Sequence, residues 1–217
     1  MNINCSKCSE LGLQFYSNNI LPIEYIEGNP NADIWIVGLN PKNEIGHIEE
    51  RTIEDFEKFS PSSHPYFSDF KKVSKPLYEN WLSKNNRIAH TDLVKRFSNS
   101  FPPDINVDGK IKKSTKKEII SNCSEHLYSQ IQNSKPKVII CNGSSVSWEM
   151  VNLFPPKTNE IDIKSLTSYK TDVKFKKGKV HQFWIVLCGF IRRIDDWSKK
   201  RLGNEIEGIF KTEGIEL

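Results

Sequence analysis

The sequence predicts an α/β fold, a three-layer α/β/α sandwich around a central four-stranded parallel sheet. Two observations carry this expectation. Four short apolar runs each end in or run into Gly, Asn or polar residues, and stretches of helical periodicity lie between them. A third observation bounds the organisation: across 217 residues there is no internal repeat and no low-complexity linker, so one domain spanning residues 1–217 is the economical reading.

The first run is Asp33 to Gly38 (DIWIVG), mostly β-branched and too short for a helix, as a strand buried on both faces should be. From Thr52 to Lys84 the pattern is helix-like but broken at Pro61, Pro65 and Pro76. Arg87 to Val94 (RIAHTDLV) is the second strand. Phe101 to Lys117 is polar, basic and Pro-containing and reads as a loop entering a long helix. That helix, Ser114 to Gln132, has a capping-type start and places Ile119, Ile120, Cys123, Leu127 and Ile131 at helical spacing. Lys137 to Asn142 (KVIICN) is the third strand and Ser144 to Asn152 a helix. Pro155 to Lys179 reads as an exposed excursion, Phe183 to Cys188 (FWIVLC) as the fourth strand, and Asp196 to Phe210 as the closing helix. In a doubly wound sheet of this kind, with right-handed crossovers, ligands bind at the carboxyl ends of the strands.

Composition narrows the function classes. Apolar residues make up 37% and charged residues 27% of the chain, and no run approaches the roughly 18 to 20 apolar residues that cross a bilayer, so no membrane association is expected. The start, Met-Asn-Ile-Asn-Cys, lacks the basic and apolar regions of a secretory signal, and a cytoplasmic monomer is the expectation. A net charge of +4 and a pI near 8.7 suit a polyanionic partner without identifying one. The odd count of five cysteines argues against a disulfide framework.

The chemistry-bearing segments lie at the strand ends. Gly38-Leu39-Asn40-Pro41-Lys42-Asn43-Glu44 follows the first strand, setting an amide side chain and backbone N–H groups at the sheet edge; a turn using Asn and Pro for backbone reasons alone is the alternative. His90-Thr91-Asp92-Leu93-Val94-Lys95-Arg96 ends the second strand. Cys123 to Leu127 is followed by Pro136-Lys137-Val138-Ile139-Ile140-Cys141-Asn142-Gly143, and Val186-Leu187-Cys188-Gly189-Phe190 by Arg192-Arg193.

In this order, covering most of the chain from Ile34 to Phe210, the segments resemble the uracil-DNA glycosylase superfamily. The first motif is most similar to the Gly-x-Asn-Pro versions of its mismatch-specific and single-strand-selective branches. The resemblance implies a monofunctional DNA glycosylase that flips a nucleotide from DNA and hydrolyses its N-glycosidic bond without a catalytic cofactor. It makes Asn40 the water-positioning residue, with Glu44 a candidate helper base. Gly38, Leu39 and Pro41 would border the base, Tyr66 or Phe67 would stack on it, with core packing the alternative for at least one of the two, and Asp92 would read it.

Two departures bear on substrate. The superfamily usually reads uracil with Asn, whereas Asp92 aligns there, and a carboxylate accepts without donating. An exocyclic amine, as on cytosine-derived bases, would suit it better than a carbonyl, unless Asp92 is protonated or serves as a strand-end cap or ion-pair partner. The fourth-strand loop carries Cys188-Gly189-Phe190 where the superfamily commonly has a His that stabilises the departing base, an interaction typically worth about 2.7 to 4 kcal/mol. A slow enzyme, a different base, or an inactive nucleic-acid-binding protein on the same fold follows. A nucleoside hydrolase is a third class and would show little salt-dependent DNA affinity.

Phosphates would be met at the helix start Gly143, Ser144 and Ser145, and by Lys42, Arg192, Arg193, Lys199 and Lys200. The segment Phe190 to Ile194 (FIRRI) suits insertion into a duplex, or else is a partly buried turn. Cys5-x-x-Cys8 and Cys123 resemble part of the cluster site of the iron–sulfur branch, but the ligand expected near Arg96 is missing. With His126, three residues from Cys123 on one helix face, they form a Cys-x-x-Cys plus Cys-x-x-His set suited to structural zinc. Ordinary thiols and a surface His are the alternative.

Overall fold

Buried apolar runs flanked by amphipathic helices settle into one mixed sheet in the computed structural model. It describes residues 22–41, 54–55, 58, 65–82, 87–95, 101–107, 110–113, 116–157, 167–175 and 178–217. A 3₁₀ turn at Pro22–Glu24 precedes β1 (Glu27–Gly28) and β2 (Ile34–Gly38). Three helical segments follow, α1 (Pro65–Ser68), α2 (Phe70–Val73) and α3 (Lys75–Leu82), before β3 (Ile88–Asp92). A hairpin of β4 (Asp104–Val107) and β5 (Lys110–Lys113) leads into α4 (Lys116–Ser134), β6 (Val138–Cys141) and α5 (Ser144–Leu153). The chain closes with β7 (Ser168–Lys174), β8 (Val180–Val186) and α6 (Asp196–Glu213).

The main sheet has six strands in the order β1-β3-β2-β6-β8-β7. Its four central strands are parallel, as expected, but each edge carries an antiparallel strand, so the four-stranded expectation is short by two. The missing edge on one side is β7, inside the stretch read as an exposed excursion. Tyr169, Thr171 and Val173 alternate inward along it while its other residues stay half-buried or exposed, the pattern of an edge strand solvated on one face. Its lysines and Asp172 hid that period. The basic loop expected between 101 and 117 likewise contains the β4–β5 hairpin.

Side-chain alternation in the parallel strands feeds two cores. Trp35, Val37, Ala89, Ile139, Cys141 and Ile185 pack with Ile119, Cys123 and Leu127 of α4 and Val146 and Met150 of α5. Ile34, Ile36, Ile88, Val138, Ile140 and Val186 pack with Phe70, Val73, Leu77 and Trp81 of α2 and α3 and Leu202 and Ile206 of α6. Helices therefore cover both faces. Each fully buried Ile, Leu, Val or Phe contributes about 1.5 to 3 kcal/mol by leaving water.

Helix α6 is well delimited. Asp195 caps it by accepting from the Ser198 amide at 2.9 Å, and Gly214 at φ 63 ends it in the left-handed conformation that glycine tolerates best. Within it, a Cβ on Gly203 would lie 1.8 Å from the Val73 carbonyl, so only glycine lets α2 and α6 approach this closely. Among the described residues no helix is long and apolar enough to cross a membrane.

Candidate active site

Parallel pairing aligns the strand ends that matter. Gly38 stands opposite Asp92, and Val37 opposite Cys141, so the Gly38–Pro41 turn, Asp92 and Asn142 all sit at one carboxyl edge. Backbone bonds from the Leu93 amide to the Gly38 carbonyl and from the Val94 amide to the Leu39 carbonyl, both 2.9 Å, extend the match beyond the strands. Asn40 is half-buried, and its Nδ2 donates to the Pro41 carbonyl at 3.1 Å, which fixes the amide at the mouth of the turn. Leu39 is half-buried and Pro41 buried beside it.

Gly38 is set by space. A Cβ there would fall 2.2 Å from Asp92 Oδ1 and 3.0 Å from the Tyr66 hydroxyl. The carboxylate and the phenol thus converge over the backbone of the first motif. Asp92 is buried; its Oδ2 accepts from the Tyr25 hydroxyl at 3.1 Å, and its Oδ1 lies 4.0 Å from His90 Nε2. His90 Nδ1 is 2.7 Å from Glu27 Oε2, a cross-strand contact that follows from the Glu27–His90 register. Burial pushes the Asp92 carboxyl above its ordinary 3.8, outweighing the His90 and Lys95 charges that hold it down. Burial works against the His90 imidazolium, but the Asp92 and Glu27 carboxylates prevail and its pKa stands above 6.5.

On the opposite face of β3, Thr91 Oγ1 donates to the Tyr25 carbonyl at 2.6 Å, and the fully buried Lys95 donates to Thr91 Oγ1 at 2.7 Å and to the Asp92 carbonyl. Burial takes Lys95 down to about 7 even though the Asp92 carboxylate opposes the shift.

Of the two aromatic candidates, Phe67 is 3% exposed, edge-on to Trp81 at 4.7 Å and to His90 at 4.9 Å, and belongs to the core. Tyr66 is half-buried, 5.4 Å from Phe190 and 5.9 Å from His90 between ring centroids. Burial and the neighbouring Asp92 charge raise its hydroxyl well above 10.0, so it keeps its proton at neutral pH.

The fourth-strand loop closes the other side. Asn142 is buried, and its Oδ1 accepts from the Ile191 amide at 3.0 Å. Ser147 of α5 both accepts from the Cys188 amide at 3.1 Å and donates to the Cys188 carbonyl at 2.9 Å. These bonds lay the loop across the N-terminus of α5, where Gly143 has φ 134, Ser144 is exposed and Ser145 half-buried. Ile191 is buried, Phe190 half-buried, and the exposed Arg193 guanidinium lies 5.7 Å from the Phe190 ring. Arg192 and Lys200 are exposed, and Trp197, which sequence reasoning passed over, is 73% exposed between them.

Several expected residues fall elsewhere. Lys199 is 4% exposed, its ammonium 3.6 Å from Asp69 and 3.7 Å from Asp196, so it braces α6 instead of meeting phosphate. Lys42, Glu44, Cys5 and Cys8 lie outside the described residues. Cys123 and His126 are both buried on α4, which removes the alternative of a surface His; among the described residues His126 Nδ1 has no hydrogen-bond partner. Among the described residues no group of three or more His, Cys, Asp or Glu side chains is arranged to hold a metal.

Tyr25, Glu27, Lys95 and Asn142 were not assigned site roles from sequence. A signal existed for His90: a polar residue two before Asp92 in a buried strand must share its face and its surroundings. Glu27 and Tyr25 sit in a short segment with no apolar periodicity, and only strand pairing reveals them.

A sequence model of the Uracil DNA glycosylase superfamily matches residues 25–188. No curated protein matches the chain.

Proposed function

Starting from the chain's membership of the uracil-DNA glycosylase superfamily, which makes it a DNA glycosylase-type protein with DNA as its substrate, we propose that it excises uracil or a cytosine-derived base by simple hydrolysis. The flipped nucleotide enters between Asn40, Tyr66 and Asp92 at the carboxyl edge of β2 and β3. Asn40 holds a water against C1′ while the sugar becomes oxocarbenium-like. The C1′–N bond breaks with its electron pair leaving on the base, the water oxygen bonds to C1′, its proton passes to solvent, and an abasic site remains.

The observation that carries this reading is the convergence of Asp92 Oδ1 and the Tyr66 hydroxyl over Gly38, next to Asn40 in the same turn. A carboxylate, a neutral phenol and an amide meeting at a strand end are the groups needed to stack, read and hydrolyse a nucleotide. Arg192, Arg193 and Trp197 supply charged and aromatic surface for the DNA around it.

The test is abasic-site formation on DNA oligomers carrying uracil, hypoxanthine, thymine mismatches or modified cytosines. Cleavage by the protein, absent in Asn40→Ala although DNA binding persists, is the expected outcome; equal activity of Asn40→Ala sinks the assignment. A second reading, a nucleic-acid-binding protein without catalysis, rests on Cys188-Gly189-Phe190 standing where a leaving-group His is common. It predicts DNA binding with no base release from any oligomer.

Structural zinc at Cys5, Cys8, Cys123 and His126 remains part of this proposal, supported by the buried Nδ1 of His126, which has no hydrogen-bond partner among the described residues. Metal analysis should return about one zinc per chain in the purified protein and none in Cys123→Ser.

A further inference from the structure

The Asp92 carboxylate has a hydrogen-bond donor at one oxygen and an ion-pair neighbour at the other. Oδ2 accepts the Tyr25 hydroxyl at 3.1 Å, and Oδ1 faces His90 Nε2 across 4.0 Å. His90 is turned to present that nitrogen because Glu27 Oε2 holds Nδ1 at 2.7 Å. The Glu27 hydrogen bond and charge both favour the protonated ring, so Nδ1 donates to Glu27 Oε2. A neutral His90 beside an ionised Asp92 would then set a bare Nε2 lone pair against a carboxylate oxygen, with both residues at most 5% exposed. Among the described residues the buried Nε2 has no hydrogen-bond partner. The proton therefore belongs on His90, whose imidazolium faces the Glu27 carboxylate on one side and the Asp92 carboxylate, at ion-pair distance, on the other.

We infer that Glu27, His90 and Tyr25 are positioning residues that make Asp92 an acceptor-only reader, committing the pocket to a base with an exocyclic amine rather than a carbonyl at the recognised position. This rests on the glycosylase reading above and narrows its substrate class to cytosine-type bases. The proton that Asp92 would need to greet a uracil carbonyl sits on His90, and the Tyr25 hydroxyl donates to the other oxygen. The outward lone pairs are left to accept.

Other charged and titratable groups surround the pair. Lys95, beyond the end of β3, gives its two hydrogen bonds to Thr91 Oγ1 and the Asp92 carbonyl; its charge helps keep Asp92 ionised while opposing the His90 proton. Tyr66, from α1, keeps its own proton beside Asp92. Glu27 and Asp92 together raise the His90 pKa, which favours proton retention on the pair at neutral pH. Protonating both members in acid would give Asp92 a proton of its own to turn outward, so amine preference should weaken as pH falls.

The experiment measures single-turnover excision by the full chain on duplexes carrying cytosine, 5-hydroxymethylcytosine or uracil at one position. Wild type should favour an amine-bearing base over uracil by roughly five- to hundredfold. His90→Gln, which retains a donor, should keep that preference; His90→Leu should erase it, and Asp92→Asn should reverse it toward uracil. Should His90→Leu fail to fold, the wild-type ratio measured between about pH 5 and about pH 8 reads the same device, rising with pH. Preference for uracil in wild type overturns the inference, as does a ratio unmoved by both His90→Leu and pH. If no base is released at all, the glycosylase reading fails separately. The inference is then read from equilibrium binding to duplexes with 2′-fluoroarabino cytidine or uridine: tighter cytidine binding supports it, and equal or tighter uridine binding overturns it.

Discussion

Adding one methyl group at Gly38 tests the geometry on which every statement about the site depends. Gly38 is not among the glycines at positive φ, so alanine there meets no backbone objection and its effect is steric. The new Cβ would lie 2.2 Å from Asp92 Oδ1, where ordinary contact begins near 3.4 Å, so the carboxylate must retreat by about 1 Å. It has little room, being buried and held by the Tyr25 hydroxyl and His90. Overpacking of this kind costs about 1 to 3 kcal/mol, and losing a hydrogen bond to a charged group about 1.5 to 3 more. Gly38→Ala should therefore lose about 2.5 to 6 kcal/mol of stability, read as a lower urea midpoint at unchanged slope. A displacement of about 1 Å at a reacting centre should also slow base release by on the order of a hundredfold. The decisive measurement is the double-mutant cycle with Asp92→Ala, which removes the obstructing oxygen. Gly38→Ala should be milder in that background by at least about 1 kcal/mol. Additivity within about 0.5 kcal/mol would show that Asp92 does not lie over Gly38, and the reading of the site would fall with it.

Other expectations concern charge. Arg192→Ala and Arg193→Ala should each flatten the salt dependence of DNA affinity by about 0.9 in the log–log slope, measured by fluorescence anisotropy across a salt series. Lys199→Met should lower thermal stability by stranding Asp69 while leaving that slope unchanged; a slope change would return Lys199 to the DNA surface. For Lys95, the folded pKa of about 7 lies below the unfolded 10.5, so between these values the unfolded chain binds more protons and stability rises with pH. Relative to Lys95→Met, wild type should gain up to about 1.4 kcal/mol per pH unit across that window, and a flat difference in urea titrations would mean Lys95 is not buried as a neutral amine. His90 runs the other way: its folded pKa is above 6.5, so its contribution is fully present below pH 6.5 and fades as pH rises through the folded value. His90→Gln should therefore approach wild-type stability as the solution is made alkaline.

The amino-acid sequence by itself determined the parallel centre of the sheet and the long helices. Runs such as Ile34–Gly38 and Val138–Cys141 are apolar on both faces, and the Ile119-to-Ile131 spacing has one helical solution. It also placed Gly38, Asn40 and Asp92 at strand ends, because a buried strand must stop where polar residues begin. Tertiary structure decided what lies across from what. Register put Glu27 beside His90 and Gly38 under Asp92, contacts between residues 63 and 54 positions apart in the chain, respectively. Strand β7 was hidden because an edge strand needs an apolar residue only at every second position. Lys199 was misjudged as surface because its burial depends on Asp69 arriving from another element, and a lone lysine code carries no record of its partner. Local pattern reports periodicity and end signals; the pairing of distant polar groups is settled only when the sheet brings them into a dry, shared space.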